Sequence, residues 1–193
     1  MNRRDAITRV GLLVGGTVIG AEAFLTGCRR SAEQQAAASA EFTPDTVAFL
    51  DEVGETILPA SPASPGAKEA KIGEFMKVIV TDCYEEKDQK IFHTGIPKLN
   101  EAAQKKYSKG FMDLAATEKH DLLVAVDSEM KDYNKNKKEG DPQHYFNLIK
   151  QLTLWGYFTS EPGSTKALRY LPVPGKYEGC IPYKKGDKAW AQT

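Results

Sequence analysis

An all-α fold is the expectation from three features of the chain: apolar residues recur at helical spacing through its middle, strand-like alternation is almost absent, and residues that cap helices stand where the periodic stretches begin. The length of 193 residues suits one domain of ordinary size. The pattern predicts about five helices followed by a long irregular C-terminal segment, with residues 42–193 as the folded domain.

The first helix opens at Thr43, a capping residue, followed by Pro44, which suits a first turn. Val47, Leu50, Val53, Ile57 and Leu58 form its stripe, and Pro59 ends it. The segment PASPASPGAKEA follows, with three prolines and a glycine in its first eight residues, so Pro59–Gly66 reads as a stiff loop. A second helix is expected from about Ile72 to Tyr84, with Ile72, Phe75, Met76, Ile79, Val80 and Cys83 on its apolar face. A third covers about Lys87 to Tyr107, burying Ile91, Phe92, Leu99, Ala102 and Ala103; Gly95 and Pro97 are expected to kink or divide it. Lys105, Lys106 and Lys109 near its end suit the helix dipole. The fourth is expected to start at Thr117 as cap with Glu118 in its first turn, and Leu122, Leu123, Val126 and Met130 are its stripe. KDYNKNKKEGD reads as a charged, solvated connector. The fifth takes Asp141 as cap and Pro142 next, with Tyr145, Phe146, Ile149, Leu152 and Trp155 spaced for burial.

Beyond Thr159 the pattern changes. The remainder holds four prolines, four glycines, three tyrosines and one tryptophan, with at most a short helical stretch from Lys166 to Tyr170. An irregular tail that keeps aromatics must cover its own helices or belong to an interface.

The first 41 residues carry a different kind of information. Arg3-Arg4 followed by Asp5-Ala6-Ile7 matches the twin-arginine export pattern, and the weakly apolar run from Val10 to Phe24 is short for a bilayer span. Leu25-Thr26-Gly27-Cys28 matches a bacterial lipobox. Residues 1–27 are therefore read as a cleaved signal peptide, Cys28 as the lipidated first residue, and residues 28–41, rich in Ala, Ser, Gln and Glu, as a flexible tether. The expected location is the periplasm, anchored to a membrane by the lipid on Cys28.

Basic and acidic residues balance at 26 each, which leaves no electrostatic footprint for nucleic acid. No GxGxxG follows a strand and no CxxCH is present. His93, His120 and His144 match no metal spacing and read as surface or capping residues. Ser160 and Ser164 have no nucleophile-elbow context, and Asp82 beside Cys83 would oppose thiolate formation. No catalytic, cofactor-binding or metal-binding constellation emerges. Cys83 and Cys180 remain after lipidation; they are candidates for an internal bridge, for two free buried thiols, or for an intermolecular bridge from Cys180. Tyr157, Tyr170, Tyr177, Cys180 and Trp190 are the candidate docking residues, and the loop Pro59–Gly66 is a second candidate contact.

ILPASPASPGAKEAKIGEFM, GYFTSEPGSTKALRYLPVPGKYEGC and the closing KAWA, behind a twin-arginine leader, together resemble the gluconate 2-dehydrogenase subunit 3 family over about Phe42 to Trp190. The resemblance implies a small, cofactor-free subunit of a membrane-associated dehydrogenase of sugars or sugar acids. It places FAD and the active site in a large partner subunit, allows a cytochrome c subunit as electron acceptor, and gives the small subunit the export signal for the complex. Two rival expectations stand beside it: an independent envelope lipoprotein with a structural or binding role, and an enzyme whose dispersed site the sequence does not reveal.

Overall fold

A computed structural model describes residues 42–191, apart from residues 174, 177 and 178. Arg3 and Arg4, expected to direct export, Cys28, expected to carry the lipid, the expected tether and the docking candidate Tyr177 lie outside the described residues. Five α-helices account for most of what is described: α1 (Pro44–Ile57), α2 (Ile72–Cys83), α3 (Glu86–Tyr107), α4 (Ala116–Asn136) and α5 (Tyr145–Thr159). A 3₁₀ turn at Phe111–Asp113 precedes α4, and a π-helical turn at Gly163–Ala167 follows α5. Among the described residues there is no strand, only two isolated bridges.

Helix α1 starts as its sequence dictates. The Thr43 hydroxyl accepts the Thr46 N–H at 3.2 Å, and Pro44 occupies the first turn where its missing N–H costs nothing. Val47, Leu50 and Val53 are buried as their spacing requires. Helix α2 lies close against α1: a β-carbon on Gly73 would stand 2.4 Å from the Val47 carbonyl oxygen, so only glycine permits this approach. The start of α2 is capped from its neighbour, because Asp51 of α1 accepts the Gly73 N–H at 2.8 Å. At its other end the buried Gln89 amide donates to the Val80 and Thr81 carbonyls at 2.6 and 3.1 Å, satisfying acceptors that the helix leaves open.

Five details depart from expectation. The stretch KDYNKNKKEGD is only partly a connector, because α4 continues through its first six residues to Asn136. Helix α3 runs unbroken for 22 residues, so Gly95 and Pro97 do not divide it. Pro97 sits at an exposed position and forfeits one backbone bond, while the burial of Phe92, Leu99 and Ala103 on either side holds the helix together. Gly95 serves packing: a β-carbon there would approach the Tyr145 side chain of α5 to 2.5 Å. Thr117 lies inside α4; the cap falls two residues earlier, at Ala115, where the Glu118 carboxylate reaches back to accept the Ala115 N–H at 2.9 Å. Asp141 accepts the Lys138 N–H and closes a turn, and the cap of α5 falls to His144, which accepts the Phe146 N–H at 3.3 Å. Cys83 and Trp155, spaced for burial, are both exposed.

The core joins all five helices, with Phe92, Phe111, Phe146, Leu50, Ile72 and Met76 fully buried. Two charged clusters tie helices together at its edge. Glu52 of α1 accepts from Lys119 of α4 at 2.7 Å and from Lys68 at 2.9 Å. Asp127 of α4 pairs with Lys150 of α5 at 2.5 Å and with Lys131 at 2.7 Å.

Candidate docking surface

The second half of α5 has an unusual composition. From Gln151 to Ser160 the sequence QLTLWGYFTS contains no charged residue. Leu152, Thr153, Gly156 and Tyr157 of this stretch are buried, and Gln151, Leu154, Trp155, Phe158 and Thr159 face outward. A helix apolar on nearly all sides is expected to be buried all round, yet here one side stands open.

Helix α2 extends this open face. Phe75 fits against Gly156, where a β-carbon would lie 2.5 Å from its ring, and it meets Trp155 edge to face with centroids 5.3 Å apart. Trp155 remains 52% exposed, and Val78, one turn beyond Phe75 on α2, is 53% exposed. Leu154 and Phe158, each within one turn of Trp155, are also exposed. The glycine thus seats one aromatic ring in the seam and leaves a second standing on its rim.

The residues expected to dock divide into two groups. Tyr157 is 3% exposed, and its hydroxyl donates to the Pro65 carbonyl at 2.5 Å. It is an internal strut, buried because Leu152, Thr153 and Gly156 place its side of α5 on the core. Its partner loop is held at the other end by Glu55, whose carboxylate accepts the Ala60 and Lys68 N–H groups, each at 2.9 Å. The loop Pro59–Gly66 is therefore braced by its own chain, although Pro59 to Ala63 remain exposed.

Tyr170 and Trp190 stand half exposed, and Tyr183 is 76% exposed. The tail does not bury these rings on its own helices. Its two ends meet instead: Arg169 donates to Ala189, Ala191 donates to Arg169, and the Arg169 guanidinium lies 4.8 Å from the Trp190 ring centre. The Lys188 ammonium donates to the Lys166 carbonyl beside this closure. Helical structure stops at Ala167, so the stretch expected through Tyr170 ends early. Cys83 and Cys180 are not joined; both thiols are free and exposed.

The histidines are not brought together. His93 packs edge to face with Phe42 and Phe92, His120 lies on the surface beside Asp121, and His144 caps α5. Because Nδ1 of His144 accepts the Phe146 N–H, Nε2 carries the proton in the neutral ring, and that atom points toward Glu129 at 3.9 Å. Burial holds the His144 pKa below the usual histidine value, and the Glu129 carboxylate only partly opposes this. Burial likewise pushes the neighbouring Tyr145 up to about 12. An open groove of about 530 Å³ beside His144 is lined by Glu129, Asp132, Tyr133 and Asp141. Among the described residues no group of three or more His, Cys, Asp or Glu is placed to hold a metal ion, and no helix is long and apolar enough to cross a membrane.

Sequence reasoning placed Trp155 in the core and so missed the α2–α5 face. The signal was present as the charge-free run of ten residues, longer than one buried stripe requires.

No curated protein and no solved structure matches the chain. One family profile does: Gluconate 2-dehydrogenase subunit 3 matches residues 44–175, more than half of the chain, from the first residue of α1 into the tail. The chain belongs to the gluconate 2-dehydrogenase subunit 3 family, whose name makes it one subunit of a multi-subunit dehydrogenase complex.

Proposed function

We infer that this chain is the non-catalytic small subunit of a periplasmic, flavin-dependent dehydrogenase of a sugar or sugar acid. It carries the export signal, stabilises the flavin subunit and tethers the complex to a membrane. Family membership over residues 44–175 is the observation that carries this reading. The division of labour follows from chemistry. Twin-arginine export moves folded proteins, so a flavin subunit can load FAD inside the cell and leave attached to a chain that bears Arg3 and Arg4. After cleavage, a lipid on Cys28 and a tether of about a dozen residues would hold the pair at the membrane surface while leaving it free to turn. A cytochrome c subunit would then receive the electrons.

The test is co-expression of the full chain with the large dehydrogenase subunit, detergent extraction of membranes, and affinity capture of this chain. Flavin absorbance and sugar-dependent reduction of a dye should follow the captured complex and be missing from this chain purified alone. Replacing Arg3 and Arg4 by lysine should leave both subunits in the cytoplasm. Cys28→Ala should release an active complex into the soluble periplasmic fraction. Capture without any flavoprotein, or sugar oxidation by this chain alone, would end the reading.

A further inference from the structure

We propose that the α2–α5 face, centred on Trp155 and Phe158, is the seat of the flavin-carrying subunit. This rests on the reading above and adds to it the surface that makes the contact.

A subunit of a multi-subunit complex must cover some of its surface with another chain. Exposed Leu154, Trp155, Phe158 and Val78, with Phe75 in the seam between them, offer the composition of an interface centre: aromatic anchors and no charge on the outward positions of α5. Trp155 is held in place before any partner arrives, because Phe75 meets it edge to face and Gly156 fixes Phe75. A rigid aromatic of this kind loses little freedom on binding.

Area and charge narrow the occupant. Half-exposed aromatic and aliphatic side chains of this number offer on the order of 300 Å², the size of a functional patch on a monomer. That is well under the ~800 Å² per partner of a standard stable interface. The occupant therefore reaches past the apolar centre. One direction carries exposed apolar surface onward. The end of α5 leads through the π-helical turn into the tail, where Tyr170 and Leu171 are exposed.

The two parts differ in charge: residues 42–167 hold 16 basic and 20 acidic groups, whereas residues 168–193 hold five basic and two acidic. A second copy seated on this face alone would bury only the small apolar centre, less than a stable dimer needs. A different chain that meets Trp155 with an apolar patch and the tail lysines with an acidic margin reaches across both parts.

The experiment captures the detergent-solubilised complex through this chain and compares wild type with Trp155→Lys and Phe158→Asp. Val124→Asp, an equally exposed apolar site on α4, is the control. Retention of flavoprotein should fall at least tenfold for the two α5 variants and stay within twofold for Val124→Asp, with all three chains showing wild-type helical circular dichroism. A photo-cross-linking residue at position 154 provides a second measurement that leaves Trp155 and Phe158 intact. It should link to the flavoprotein, and the same residue at position 124 should not.

Wild-type capture that the α5 variants leave unchanged would overturn the seat while sparing the subunit reading. Wild-type capture of no flavoprotein would overturn both. A homodimer of the isolated chain that Trp155→Lys dissociates would assign the face to a second copy and refute the proposal.

Discussion

Helices α4 and α5 face the core in the same way and face outward in opposite ways. Inside, α4 buries Leu122, Leu123, Val126 and Met130, and α5 buries Phe146, Leu148, Ile149 and Leu152. Outside, α4 shows Asp121, Glu129, Lys131, Asp132 and Lys135, with Val124 as its one large exposed apolar residue. The outward positions of α5 from Gln151 to Thr159 are uncharged and include a tryptophan and a phenylalanine. The inner faces are set by what burial demands of any helix in this bundle. The outer faces are not under that demand, so their difference reports what each side meets: water over α4, and another apolar surface over α5.

The largest effects should come from the inner faces. Phe146→Ala removes a ring that is 1% exposed and should cost about 3–5 kcal/mol, a large share of the stability of a domain this size. Leu122→Ala on α4 should cost about 2–5 kcal/mol. Urea melts would measure both. If either cost less than about 1 kcal/mol, the equivalence of the two inner faces would be lost.

Next comes the seam itself. Gly156→Ala gains up to about 1 kcal/mol of helix propensity but drives a methyl group into Phe75 at 2.5 Å. Overpacking of this kind costs about 1–3 kcal/mol, so a net loss is expected. Since Phe75 packs on Trp155, the indole fluorescence should change with it, and the change should vanish in a Trp155→Phe background. A Gly156→Ala chain as stable as wild type with unaltered emission would show that the seam does not position Trp155.

A pH titration probes the start of α5. His144 has a pKa lowered by burial, with Lys98 adding to the effect and Glu129 opposing it. The unfolded chain takes up a proton near the usual histidine value of about 6.5 while the folded chain resists, so stability is full above that value and is lost as pH falls through the folded pKa. Protonation also removes the Nδ1 acceptor of the Phe146 N–H. His144→Asn keeps a capping acceptor without the titration and should flatten the slope between about pH 7 and 5, whereas His144→Ala should cost about 1 kcal/mol at neutral pH. At lower pH all three chains should weaken together. Hydrogen bonds from Lys119 and Lys68 to Glu52, and from Lys131 and Lys150 to Asp127, hold those carboxylates below their usual range, so their contribution is full above that range and is lost as pH falls from it through the lowered folded values. A slope unchanged in His144→Asn would remove His144 from this account.

Much of this architecture was legible in the chain. The Thr43–Pro44 start and the stripes Leu50–Val53 and Leu122–Met130 depend on spacing and capping within a few residues, and sequence displays those directly. The misreadings depend on partners distant in sequence. Gly95 looks like a helix breaker until Tyr145, fifty residues on, is found against it. Asp141 and Pro142 have the chemistry of a helix start, but Asp141 closes the preceding turn and the burial of Phe146 sets the register of α5. Tyr157 and Trp155 stand two residues apart on one helix. Spacing alone reads Trp155 as core and leaves Tyr157 as a docking candidate; in the structure Tyr157 is a buried strut to Pro65 and Trp155 stands on the surface. A helix apolar on most sides offers no polar side from which to fix its rotation, so its buried arc has to be read from its neighbours.

The smallest effect on the isolated chain bears most directly on the contrast between the outer faces. Trp155→Gln should cost about 1 kcal/mol or less, from its edge-to-face contact with Phe75 and the half of the ring already buried. Val124→Gln should fall within about 0.5 kcal/mol of wild type, as surface changes do. In the isolated chain the two outer faces are then nearly indistinguishable, because neither is required to hold the bundle together. They separate only when the partner subunit is present and the ring of Trp155 has something further to lose. Were Trp155→Gln to cost 3 kcal/mol in the isolated chain, the tryptophan would belong to the core, and the uncharged outward side of α5 would be explained by folding alone.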